Sequence, residues 1–402
     1  MDESWLHSPA PMSTLPTTHW PRVFLLWGCG ILAALQFAKI SLAFQLLQTH
    51  YGVSAAQMGW VLSMVGVVGL TLGVSMGLLA TKVGYRRLLA GGLSLGAVLA
   101  ALQALDLPFF AFFATRVLEG ASHLSVVVAA PTLMAAAAGP QHRSVAMGLW
   151  STFVGTAFAL CAAFGPSFLG LYGVQGLFAL HAALFLLACA GVWRLIPEDA
   201  ARLPDPVRTS LLARHVRIYT QWSTALPGLC FFCYTGMAVA LLTFLPQALP
   251  PGQQWAAAAL PFTGMAGTFG AGWLTRRQSP MRLLRWVYPL LALAGFACAL
   301  AASAQWGYTA AALLLMGVSG LAGGTAFALI PFLNKDAAQQ ARANGAVAQM
   351  GNLGATLGPP TFAFVLTQQP TWGLALPVVV LAVLGSTILR WGRRQQDIRV
   401  VH

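Results

Sequence analysis

Acidic residues are scarce: nine Asp and Glu stand against 22 Lys and Arg in 402 residues, and charged residues of both signs make up only 8% of the chain. That excludes a soluble domain, because so little charge cannot solvate a globular surface of this size. With 58% hydrophobic residues and a mean hydropathy of +0.72, lipid must be the solvent for most of the chain. Also missing is any grouped set of His, Asp, Glu and Cys such as a metal site or a nucleophilic centre needs, so neither an enzyme nor a bound cofactor is expected. The six cysteines (Cys29, Cys161, Cys189, Cys230, Cys233 and Cys298) fall inside apolar segments, which excludes a disulfide framework. Cys230 and Cys233 have a redox-like spacing without polar surroundings, as small residues of a lipid-embedded helix would. The N-terminus opens with Asp2 and Glu3 and lacks a basic n-region, so it reads as a cytoplasmic tail rather than a signal peptide. The net charge of +13 would suit nucleic acid only if the basic residues formed a patch with interleaved aromatics. They lie instead in short runs between apolar segments.

What is present is a series of about twelve apolar runs, near 23–47, 56–80, 88–105, 108–137, 145–170, 174–196, 222–246, 256–275, 283–303, 307–333, 344–367 and 373–390. Basic residues avoid the odd-numbered connections entirely. All but two of the 22 Lys and Arg sit in the even-numbered connections and the two tails, from Arg22 and Lys82 to Arg394 and Arg399. The positive-inside rule then places both termini in the cytoplasm and predicts a multi-pass protein of a bacterial-type inner membrane. The longest connection is charged and proline-bearing, so the chain divides into a tail (1–22), a six-span bundle (23–196), a linker (197–221), a second six-span bundle (222–390) and a tail (391–402). Within the linker, Arg208 to Tyr219 has the pattern of a basic amphipathic helix at the membrane surface. The halves repeat: Gly77 to Arg87-Leu-Leu and Gly272 to Arg282-Leu-Leu share one spacing, as expected of two bundles related by an axis along the membrane normal.

The two remaining basic residues, Lys39 and Arg116, lie inside spans. Arg116, Glu119 and His123 occupy one face of the fourth span, within about 60° of arc, each in reach of the next. Charge at membrane depth normally faces a partner or a wet cavity. One reading is therefore an internally neutralised pair that pins helix packing; the other is a substrate and proton site. Lys39 lies about 12 Å from the outer end of span 1 and Arg116 a similar ~12 Å from the outer end of span 4 at Pro108, so the two cations share a depth. Gln36 sits one turn from Lys39. Lys39 could also snorkel to the headgroups, and His123 could merely donate to a helix carbonyl. His181, without an ionisable neighbour in its span, reads as packing.

The loop Gly77-Leu-Leu-Ala-Thr81-Lys82-Val-Gly84-Tyr-Arg86-Arg87 resembles the G-x-x-x-D-x-x-G-R-[RK] signature of the major facilitator superfamily, with Thr81 where that family usually has Asp. Arg116-Val-Leu-Glu119-Gly120 is similar to the family's R-x-x-x-G pattern. Gly165-Pro166 matches the second half of an exchanger pattern, and Gly358-Pro359 partly echoes it.

The resemblance covers essentially the whole chain. It implies an all-α membrane protein of twelve helices in two pseudo-symmetric six-helix bundles, with spans 1, 4, 7 and 10 around a central cavity. Spans 2 with 11 and 5 with 8 would form a moving seam, suited by Gly69, Gly73, Gly77, Gly264, Gly267 and Gly270. Gly77, Thr81, Gly84, Arg86, Arg87, Gly165, Pro166, Gly358 and Pro359 are the expected conformational residues. Lys39, Arg116 and Gln36, with Tyr234 and Tyr308 from the second half, are the expected substrate contacts; Glu119 and His123 are the expected proton carriers. By the repeat, the second half has Met316, Ser319 and Gly323 where the first has Arg116, Glu119 and His123, so one wall is ionic and the other apolar. The expectation is a monomeric carrier that moves a small organic anion by alternating access, coupled to protons. A proton-driven efflux exchanger for drugs or siderophore-like metabolites is the alternative.

Overall fold

In hydrocarbon every backbone N–H and C=O must be satisfied within its own segment, and an apolar run of about 20 residues achieves that only as a helix. The computed structural model describes residues 17–198 and 219–401, and among them the regular elements are all helices. Span 1 is Trp20–Leu42, continued past a turn by Phe44–Tyr51. Span 2 is the pair Ala55–Ser63 and Val65–Val83, bent by 44°. Spans 3 and 4 are Tyr85–Gln103 and Phe109–Ala137. Arg143–Trp150 leads into Phe153–Leu195, whose 43 residues are twice what a bilayer needs; the backbone leaves helical geometry at Gly173 (φ 67°), where span 5 ends and span 6 returns. Spans 7 to 12 are Trp222–Phe244, Trp255–Leu274, Pro280–Leu300, Gln305–Leu333, Ala337–Gln368 and Ala375–Val401.

Among the described residues, eight helices are long and apolar enough to cross a membrane, or nine with the bent pair joined. The double-length helix supplies one more crossing. Spans 8 and 11 complete the set; glycine, alanine and polar residues dilute their hydropathy.

Both halves pack in the same way. Span 4 lies against spans 1, 2 and 3, and span 10 lies against spans 7, 8 and 9. The halves meet where span 2 runs along span 11 and where span 5 meets span 8. Gly59 lies on Pro359 and Pro360, Gly66 on Thr356, and Gly69 on Asn352, whereas a Cβ at Gly73 would meet nothing. Across spans 1 and 7, Ser41 Oγ donates to Thr243 Oγ1 (2.8 Å), Gln45 Nε2 donates to Gln247 Oε1 (3.1 Å), and Phe44 meets Phe244 edge-on at 5.3 Å. These contacts join the halves at the end of the molecule opposite the basic loops.

The glycines of span 8 behave differently from the expected seam: Gly264 and Gly267 lie on Met316 and Gly317 of span 10, within the second half, because two glycine faces there let the backbones touch. Of the expected conformational residues, Gly84 takes φ 95° between spans 2 and 3, where an L side chain is strained. Arg86 Nη2 donates to the Trp193 carbonyl at 2.6 Å and stacks on its ring, while Arg87 pairs with Glu198 at 2.7 Å, so this loop grips the end of span 6. Gly165 packs on Leu42 of span 1; Pro166, beside it, is exposed. The surroundings of Gly77 and Thr81 lie outside the described set, as does the proposed surface helix from Arg208 up to Tyr219.

Gly358 lies directly on the Gly236 backbone of span 7, and an added Cβ would collide with the Gly236 carbonyl. Gly358→Val is therefore expected to push spans 7 and 11 apart at a cost of about 1–3 kcal/mol. The check is a lowered melting temperature of the purified protein; unchanged melting would show that this contact yields freely.

Candidate functional site

A charge held inside a bundle must find a counter-charge and further hydrogen bonds, since removing it from water costs several kcal/mol. Lys39, Arg116 and Glu119 meet that demand together. Lys39 Nζ donates to Glu119 Oε1 at 2.8 Å and to Gln103 Oε1 at 2.9 Å, and it sits 4.9 Å from the centre of the Phe178 ring. Arg116 Nη1 donates to Glu119 Oε2. Gln103 Nε2 donates to that same oxygen and to Thr115 Oγ1, both at 3.0 Å. Lys39, Gln103, Arg116 and Glu119 are each no more than 2% exposed.

Local structure explains the assembly. The i,i+3 spacing on span 4 stacks Arg116 over Glu119, and the long lysine stem reaches them from span 1. Arg116 also donates through Nε to the Val61 carbonyl (3.1 Å) and through Nη2 to the Leu62 carbonyl (3.3 Å). Both carbonyls belong to the last turn before the bend in span 2, where helix-end acceptors lack partners along the helix. One guanidinium thus ties spans 2 and 4 together at the kink. The cluster carries two cations and one carboxylate, so its net charge is +1, and each of these hydrogen bonds is to the first half.

Sequence spacing put Lys39 and Arg116 at one depth around a cavity. In this conformation the acid stands between them and binds both. Gln36 is fully buried, donates from Nε2 to Ser122 Oγ (3.1 Å), and leaves its Oε1 without a hydrogen-bond partner. His123 Nδ1 lies 3.1 Å from the Ala33 carbonyl and donates to it, with its ring edge-on to Phe37. His181 Nε2 donates to the adjacent carbonyl of Leu32 (3.0 Å), so two histidines brace consecutive residues of span 1. Tyr234 lies against Gly323 and Phe231 in the second half. Tyr308 is buried with its hydroxyl unpartnered. Neither tyrosine hydrogen-bonds to the charged cluster.

Two participants escaped the sequence reading, Gln103 and Thr115. The available signal was an amide in the run Ala-Val-Leu-Ala-Ala-Leu-Gln103-Ala-Leu, near the end of a membrane span. In the second half, the counterparts Met316, Ser319 and Gly323 form apolar packing: Met316 covers Gly264, and Ser319 donates to its own helix at the Met316 carbonyl.

The family profile described as Major Facilitator Superfamily matches residues 26–359. The Escherichia coli (strain K12) 3-(3-hydroxy-phenyl)propionate transporter is 27% identical over 367 residues, 87% of this chain and 88% of its own. The inner membrane transport protein YajR of the same strain is 24% identical over 181 residues, and the match spans 44% of this chain but only 39% of that protein. A Bacillus subtilis (strain 168) nitrite extrusion protein is 27% identical over 213 residues, 51% of this chain and 53% of its own. Among solved structures, a bacterial homologue of the human lysosomal transporter Spinster, inward-facing and unoccupied, superposes with a TM-score of 0.73 at 14% identity, covering 94% of this chain and 98% of that one. The E. coli fucose:proton symporter FucP superposes with a TM-score of 0.65 at 17% identity, covering 92% and 98%.

Proposed function

This chain belongs to the major facilitator superfamily, and from that membership we propose that it carries a small organic anion across the inner membrane, driven by protons through the Lys39–Arg116–Glu119 cluster. The observation that supports this reading is the shared carboxylate. Glu119 occupies both cations, as a substrate carboxylate would. When a proton neutralises Glu119, Lys39 and Arg116 are released to bind the anion instead, and the cluster keeps its net charge of +1. Proton and anion therefore load together, because each alone would leave a buried charge unmatched. Arg116, with its planar fork, suits a carboxylate or phosphate group, and Gln36 holds an unused acceptor nearby. His123, one turn below Glu119, is the next group able to pass the proton toward the basic face.

With the basic loops and both termini on the cytoplasmic side, the contacts between spans 1 and 7 at the opposite end suit an inward-facing conformation. Residues 23–196 and 222–390 move as the two bodies, joined by the linker 197–221, and the protein works as a monomer. Binding shifts the balance between inward- and outward-facing forms only through its different contacts in each. The relative named for 3-(3-hydroxy-phenyl)propionate, an aromatic carboxylate, supports an organic anion as substrate. A second reading, proton-driven export, draws on the nitrite extrusion relative and on Gly165-Pro166.

The test is uptake into proteoliposomes with 3-(3-hydroxyphenyl)propionate as the first probe in a panel of organic anions. Accumulation is expected when the lumen is made alkaline and is expected to collapse with a protonophore. Transport indifferent to the gradient would remove the proton from the scheme.

A further inference from the structure

A cavity of about 200 Å³ opens on the face opposite the basic loops, wholly within the first half. Its walls include His50 and Tyr51 after span 1, Gln103 and Asp106 at the end of span 3, and Val174 and Phe178 at the start of span 6. At the mouth, His50 Nε2 and Asp106 Oδ1 are 2.8 Å apart, with side chains 47% and 54% exposed. The floor is made of Gln103 and Phe178, each 2% exposed. These two residues have their other sides on the charged cluster: Gln103 bonds Lys39 and Glu119, and the Phe178 ring covers Lys39 Nζ. One layer of side chain separates the cavity from Glu119. The volume suffices for roughly six waters at about 30 Å³ each. At this same face the seam between the halves is shut by Ser41 with Thr243 and by Phe44 with Phe244.

We propose that this cavity is a proton vestibule, with Gln103 as its gate, through which Glu119 exchanges protons with the side opposite the basic loops while the halves stay closed there. The inference rests on the reading of Glu119 as proton carrier. Gln103 turning into the cavity vacates Glu119 Oε2 and Lys39 Nζ. A hydronium ion then enters, gives its proton to the carboxylate and leaves as water. The charged and titratable groups near Glu119 are Arg116 and His123 from its own helix, the latter turned to the Ala33 carbonyl, and Lys39 from span 1. Among the described residues, span 2 offers the cluster the Val61 and Leu62 carbonyls, and His181 of span 6 is turned to Leu32. Substrate and proton would thus use different doors.

The test is cysteine accessibility in right-side-out vesicles, using a membrane-impermeant cationic methanethiosulfonate. The six native cysteines are buried, so the wild-type protein serves as the blank. Val174→Cys and Gln103→Cys are expected to react from outside at least about tenfold faster than Thr243→Cys, because a side-chain gate opens far faster than two bundles part. Gln103→Cys no faster than Thr243→Cys, with Val174→Cys reactive, would overturn the gate; both unreactive would overturn the vestibule. Lys82→Cys, reactive only from inside, fixes the sidedness independently. Modified Val174→Cys, which plugs the cavity without touching the charged cluster, should lose gradient-driven accumulation of 3-(3-hydroxyphenyl)propionate while retaining its exchange; equal loss or equal retention of both would overturn the proton role. Failure of the unmodified wild type to transport any anion would instead overturn the carrier reading and leave the labelling result standing.

Discussion

Glutamine in place of Glu119 is expected to abolish accumulation driven by a pH gradient while leaving exchange of the anion across the membrane intact. Glutamine keeps the shape and most of the hydrogen bonds but cannot change its charge, so one load of anion no longer needs a proton. The substitution also leaves Lys39 and Arg116 buried without their counter-charge. Breaking a buried pair in this way costs about 3–5 kcal/mol, and a lowered melting temperature should accompany the loss of coupling. The double variant Lys39→Met with Glu119→Gln returns the cluster to its natural net charge of +1, so it should recover stability and stay uncoupled. Full coupling in either variant would remove Glu119 from the proton's path.

Arg116→Met is expected to damage both the fold and recognition. It removes three acceptors' donor at once: Glu119 Oε2 and the Val61 and Leu62 carbonyls at the bend of span 2. Each buried acceptor left unsatisfied costs about 1–3 kcal/mol, so the melting temperature should fall well below that of Lys39→Met. Lys39→Met leaves Arg116 and Glu119 as a balanced pair. Recognition should suffer selectively. The loss of one charged hydrogen bond, about 1.5–3 kcal/mol, weakens a carboxylate by roughly 10- to 100-fold and should hardly affect its neutral amide. Arg116→Lys should restore charge without restoring the fork, and so recover only part of either property. Equal weakening of the carboxylate and the amide would make Arg116 a purely structural tie.

Charge and hydropathy made much of this legible in advance. The alternation of basic connections gives twelve spans even though spans 8 and 11 are not among the helices that hydropathy and length alone pick out, because lysine and arginine report sidedness independently of greasiness. The stranded Lys39, Arg116 and Glu119 were visible because nothing else charged lies so deep in the first half. Spacing along helices could not say which way Lys39 points, however. A four-carbon stem can aim at a central cavity or back into its own bundle, and Gln103 and Phe178, contributed by spans 3 and 6, decide that it turns inward. Likewise the glycines of span 8 signal close approach without naming the neighbour, which is span 10. The bend of span 2 at Met64 has no proline to announce it, only Gly66 two residues on; its carbonyls are held by an arginine 54 and 55 residues away in sequence.

The exchange of one carboxylate for another is tested most directly by the affinity of the purified protein for an anionic probe between about pH 6 and 8, where the probe's own carboxylate stays ionised. If a proton must neutralise Glu119 before the anion can bind, the dissociation constant should fall about tenfold for each unit of acidification in the wild type and stay flat in Glu119→Gln. A wild-type affinity that ignores pH across this range, or a Glu119→Gln variant that keeps the full slope, would contradict it.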